Sequence, residues 1–106
     1  MIYKVEVSQQ ADNDLRDIFE YIAFELQSPK NASKQLDRLE EHILSLDIMP
    51  ERYQKYEKEP WKSRGLRVLP VDNYVVLYVP DTDAKLVTIL RVMYGRRDID
   101  KHLMIE

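Results

Sequence analysis

The chain has no cysteine, and only two glycines and two histidines among its 106 residues. Without cysteine there is no disulfide, no thiolate nucleophile and no thiolate-bound metal. Gly65 and Gly95 stand alone, so no glycine-rich phosphate loop can form. His42 and His102 lie far apart and outside any metal-ligand spacing. Both read as surface side chains, and neither a metal nor a cofactor is expected. No serine and histidine arrangement points to a hydrolytic triad. Apolar runs all fall short of the roughly 18 residues of a membrane span. The N-terminal Met1-Ile2-Tyr3-Lys4-Val5-Glu6-Val7 alternates like a strand instead of forming the apolar block of a leader. A cytoplasmic protein without membrane contact is expected.

What is present is an ordinary globular composition, 44% hydrophobic, enough for a single domain over residues 1–106. The net charge of −3 conceals an asymmetry. Residues 1–50 carry five Lys/Arg against ten acids, a balance of −5, and residues 62–97 carry seven against three, a balance of +4. Strong non-specific nucleic-acid binding scales with phosphates neutralised, which an acidic whole opposes. The basic second half keeps a local polyanion or acidic-partner contact open.

Hydrophobic spacing predicts an N-terminal strand over 2–7, then a helix capped by Ser8 with Ala11, Leu15, Ile18, Phe19, Ile22 and Leu26 on its apolar face. Ser28-Pro29 is a helix restart signal, serine as cap and proline in the first turn. Ala32, Leu36, Leu39, Ile43 and Leu46 then form the seam of a second helix, and the short break predicts an antiparallel helical hairpin. Residues 50–63 lack periodicity and read as a loop. Leu66–Leu69, Tyr74–Val79 and Leu86–Tyr94 read as strands, with Pro70-Val71-Asp72-Asn73 and Pro80-Asp81-Thr82-Asp83 as turns. Short connections make them an antiparallel meander. The last strand is apolar on both parities, which implies cover on both faces. Asp98–Leu103 reads as a short terminal helical turn. The expected fold is α+β: strand, helical hairpin, three-stranded antiparallel meander, helical turn.

The chemistry-bearing residues concentrate in 64–98. Arg67 alternates with Leu66 and Val68 and should face solvent. Arg91 interrupts an apolar strand, so it needs either an acid on the hairpin or a phosphate. Tyr94 is a rim tyrosine, or a group that holds a ligand or moves a proton. Arg96 and Arg97 suit phosphate or carboxylate, with Asp98 and Asp100 as internal alternatives. Arg91 and Tyr94 are three residues apart and converge only across a bulge or at the strand's end. Trp61, Tyr53 and Tyr56 could stack bases, or pack their loop onto the body.

These residues, in this order, resemble the RelE/ParE superfamily of toxins from bacterial type II toxin–antitoxin systems. The resemblance runs through Asp14-Leu15-Arg16-Asp17-Ile18-Phe19-Glu20-Tyr21-Ile22, Leu46-Asp47-Ile48-Met49-Pro50, Gly65-Leu66-Arg67, Tyr74–Tyr78 and Ile89–Asp98. It implies a growth-arresting toxin and a cognate antitoxin partner that wraps and neutralises it in a hetero-oligomer. Members of the RelE type cleave mRNA on the ribosome without a metal. By resemblance Arg67 would stabilise the phosphate and Tyr94 would orient the substrate or aid proton transfer. Met93 stands where several such nucleases carry histidine, so a usual general acid/base is missing, and Glu57 or Glu59 is a weakly supported candidate base. Members of the ParE type poison DNA gyrase by binding, and the long hairpin, Met93 and the acidic total lean that way. A non-toxic antitoxin-binding module is the third reading. Arg64, Arg91, Arg96 and Arg97 are the candidate contacts to target or antitoxin.

Overall fold

The computed structural model describes residues 2–95 and Ile99. Strand β1 (Lys4–Val7) leads into helix α1 (Gln9–Glu20), and Ser8 joins them as the expected N-cap: its Oγ accepts the Ala11 N–H at 3.0 Å. Such a cap stabilises a helix by about 1 kcal/mol. α1 does not continue regularly. Residues Tyr21–Glu25 form a π turn, closed by the Leu26 N–H donating to the Tyr21 carbonyl. The extra residue per turn rotates the apolar stripe. Ile22 and Ala23 stay buried, but Tyr21, Phe24 and Leu26 are exposed, so Leu26 leaves the face that regular spacing gave it. Helix α2 (Pro29–Leu44) starts at proline as expected. Ser28, however, makes no side-chain cap. Its backbone N–H closes the hairpin instead, on the Ile22 carbonyl.

The chain then passes through two 3₁₀ turns, Ser45–Asp47 and Pro50–Arg52, to β2 (Gln54–Lys55), β3 (Arg67–Val71), β4 (Tyr74–Asp81) and β5 (Leu86–Tyr94). The sheet order is β1-β5-β4-β3-β2, with the meander antiparallel and β1 parallel to β5. Three features differ from the sequence reading. The stretch 50–63 contains the 3₁₀ turn and a short edge strand. Pro70 and Pro80 lie inside strands, not in turns. Each sits where the next strand out has already ended, since β2 reaches only Val68 and β3 reaches only Tyr78. A missing N–H costs little on an open edge. The turns proper are therefore tighter, with Asp72 at φ +55° between β3 and β4.

One face of the sheet packs on the hairpin: Leu69, Val71, Val76, Tyr78, Val87, Ile89 and Val92 meet Ala11, Leu15, Leu39, Ile43 and Leu46. On the other face Val68, Val75, Leu77 and Met93 are covered by Leu66, Ile99, Tyr56 and Trp61, so Trp61 holds its loop down. That second layer is why β5 is apolar on both parities. A bulge contributes as well: Leu77 pairs with Arg91 and Tyr78 with Ile89, so Leu90 is skipped and the alternation reverses there. Beyond Val7, α1 takes over the β5 edge. The Ser8 N–H and Oγ donate to the carbonyls of Ile89 and Leu90, and the Asp14 carboxylate accepts the Val92 N–H at 2.9 Å. Among the described residues no helix is long and apolar enough to cross a membrane.

Candidate functional site

Arg67 opens β3 on the hairpin face of the sheet, in register with Tyr78. It is half-buried and does not face open solvent. Its Nη1 donates to the backbone carbonyls of Glu51, at 2.9 Å, and Tyr53, at 2.7 Å. Beside it the fully buried Tyr78 hydroxyl donates to the Pro50 carbonyl. The two side chains together hold the turn at residues 50–53. The solvent-facing expectation failed because the chain before β2 folds back over this end of the sheet.

Tyr94 ends β5, opposite Tyr74 on β4. It is 75% exposed and meets the Tyr74 ring edge-on, centroids 5.5 Å apart. Arg67 and Tyr94 share a face but not a site. From the Tyr78 register to the Tyr74 register is four residues, about 13 Å of strand, and β3 lies two strand spacings, about 10 Å, from β5. The neighbouring Met93 is buried on the opposite face of the sheet. The Glu59 carboxylate accepts the Ser63 N–H and hydroxyl, which holds its pKa below the ordinary carboxylate value and makes it a weaker base. Glu57 borders a shallow depression with Val68 and Ile99, on the sheet face away from Arg67.

The other arginines divide. Arg91 donates through Nε and Nη2 to Asp14 at 2.8 and 3.0 Å, with both side chains mostly buried, so of its two expected partners the hairpin acid is present. Arg64 lies over the Trp61 ring, 4.9 Å from its centroid. Arg96 and Arg97 lie outside the described residues, as does most of the expected terminal turn.

A wide concavity lies elsewhere: an open groove of about 970 Å³ between the hairpin tip and the end of β5. Tyr21, Tyr74 and Tyr94 line it with Ile18, Ile22 and Leu26, and Asp17, Asn31 and Asn73 stand among them. Burial raises the Tyr74 phenol above its ordinary pKa, and the Tyr94 and Tyr21 hydroxyls add to the shift, so it is a neutral hydrogen-bonding group at any physiological pH. Arg38 and Gln35 of α2 fix the nearby β3–β4 turn through the Asp72 carboxylate, at 2.8–3.0 Å. Sequence reasoning found Tyr94 but not its companions. The meeting of Tyr21 on the hairpin with Tyr74 and Tyr94 on the sheet is a tertiary contact without a sequence signature, and the abundance of tyrosine, seven in the chain, was the available hint.

Comparison with known proteins agrees with this architecture. Residues 5–99 match the family described as the ParE toxin of the type II toxin–antitoxin system parDE. Similar solved structures include the chromosomal ParDE toxin–antitoxin system from P. aeruginosa, with TM-score 0.73, 19% identity, and 90% of this chain and 98% of that one covered. The RelBE2 toxin–antitoxin complex from Mycobacterium tuberculosis gives 0.68 and 22%, covering 89% and 92%. The isolated E. coli RelE toxin gives 0.61 and 14%, covering 97% and 95%. A search of curated protein sequences found no match. The family match spans most of the chain, and the chain belongs to the ParE toxin family of type II toxin–antitoxin systems.

Proposed function

We propose that this toxin arrests growth by binding DNA gyrase and not by cutting mRNA, and that a cognate antitoxin neutralises it by covering its surface. The observation that carries the choice of target is the state of Arg67. Its Nη1 is engaged by two backbone carbonyls, and it lies four residues along and two strands across the sheet from Tyr94. Phosphoryl chemistry needs cation, proton-transfer group and phosphate within contact of one another. No such cluster forms between these two residues, and Met93 packs away from both. An inhibitor by binding needs a rigid scaffold and an accessible surface, which the hairpin and its groove provide. The antitoxin part of the reading is supported by family membership and by the similar toxin–antitoxin complexes from M. tuberculosis and Pyrococcus horikoshii.

The test pairs two assays on the purified toxin. Gyrase supercoiling is expected to stop while mRNA in a translating extract stays intact. Relief of growth arrest by the antitoxin reading frame co-expressed with the toxin checks the second part, and arrest that persists would count against it.

A further inference from the structure

Three half-buried rings of this protein are met by cations. Arg52 lies 4.8 Å over Tyr53, Arg64 4.9 Å over Trp61 and Lys85 5.4 Å from Tyr3. The groove tyrosines differ. Among the described residues none of Tyr21, Tyr74 and Tyr94 carries a cation over its ring, although Tyr21 is 56% and Tyr94 75% exposed. The edge-on contact between Tyr74 and Tyr94 fixes two of these rings at right angles, with an interplanar angle of 79°. Asp17 is the single charged residue among the described lining groups, and it is exposed. Ring faces attract cations through their quadrupole, and a carboxylate beside them adds a Coulomb attraction. Both oppose a phosphate. Ile18, Ile22 and Leu26 supply the apolar remainder of the wall.

We propose that this groove is a guanidinium pocket: Tyr21, Tyr74, Tyr94 and Asp17 receive an arginine side chain carried on an apolar segment of the antitoxin. The proposal rests on the toxin reading for the identity of the partner, but the chemistry of the pocket does not. Arginine suits the site better than lysine because its planar, weakly hydrated head can stack on one ring while donating to Asp17. Such a site contributes specificity by charge as well as by apolar contact, because an acidic residue in the same place would meet Asp17.

The test is a titration of the free toxin with N-acetyl-arginine methylamide, followed by the ring resonances of its tyrosines. The norleucine analogue serves as the neutral control. The arginine compound is expected to shift Tyr74 and Tyr94 saturably, and the norleucine compound to bind at least about threefold more weakly. Asp17→Asn and Tyr94→Leu are each expected to weaken arginine binding by about threefold, whereas Tyr94→Phe keeps it within twofold. Asp17 and Tyr94 are both exposed, so amide spectra of these variants should remain those of the folded protein. Equal shifts from both compounds, or arginine binding indifferent to Asp17→Asn, overturn the pocket. Antitoxin purified in complex with the toxin is expected to abolish the arginine response, and a response that survives in the complex overturns the occupant. Growth arrest on induction is scored separately. Arrest without arginine binding removes the pocket and leaves the toxin reading standing. Arginine binding without arrest does the reverse.

Discussion

Arg67 and Tyr78 are adjacent in register and both end on backbone carbonyls, Arg67 on Glu51 and Tyr53, Tyr78 on Pro50. Removing a donor from such a carbonyl leaves an acceptor to be rehydrated, which costs about 1–3 kcal/mol. Arg67→Ala is therefore expected to lower unfolding free energy by about that amount in urea denaturation, with Arg67→Lys recovering part of it. An unchanged midpoint would mean that the arginine is not structural. Tyr78 supplies a pH test. Burial pushes its phenol from 10.0 up to about 12. Between those values the unfolded chain releases the proton and the folded one keeps it. Its contribution is thus whole below pH 10 and lost as pH rises toward 12. Tyr78→Phe should flatten that alkaline decline while lowering stability at neutral pH. At this scale the sequence could place Arg67 on a strand but not say which face was open. That depended on where residues 50–53 fold back, which no local pattern encodes.

Between elements, a few polar groups tie the hairpin to the sheet beside the apolar core they share. Asp14 accepts from Arg91 Nε and Nη2 and from the Val92 N–H, with side-chain exposures of 14% for the acid and 20% for the arginine. Asp14→Ala would take two charge-assisted hydrogen bonds from a mostly buried guanidinium and the side-chain acceptor from the Val92 N–H, a loss of about 2–4 kcal/mol. Calorimetry should show it as a lowered Tm. A second tie is exposed and answers to pH. Arg38 and Gln35 hold the Asp72 carboxyl below its ordinary value. The stabilisation is present above the unfolded value of 3.8 and is lost as pH falls through the lower folded one. Asp72→Asn keeps a residue tolerant of φ +55° and removes the charge, so the acid limb of stability against pH should become shallower. Helices and strands were readable here because the amphipathic spacing of α2 and the Ser8 cap are local. The π turn, the bulge at Leu90 and the strand positions of Pro70 and Pro80 were not. Each depends on where a neighbouring element ends.

Across the whole molecule, the two positions that would carry RNA chemistry lie four residues apart along β4 and two strands apart across the sheet, and the groove lies at Tyr94. The family was legible from the ordered residues of the sequence. The separation was not, because Arg67 and Tyr94 look equivalent as rim residues until the register sets them against Tyr78 and Tyr74, four residues apart on β4. Among the described residues Arg67 and Tyr94 are not brought into one site, which is what supports the proposed reading of action by binding. The most direct measurement is therefore gyrase supercoiling and mRNA integrity on one purified preparation of the toxin. Supercoiling blocked with every message intact is the expected result. Messages cut on the ribosome, with supercoiling untouched, would contradict the account.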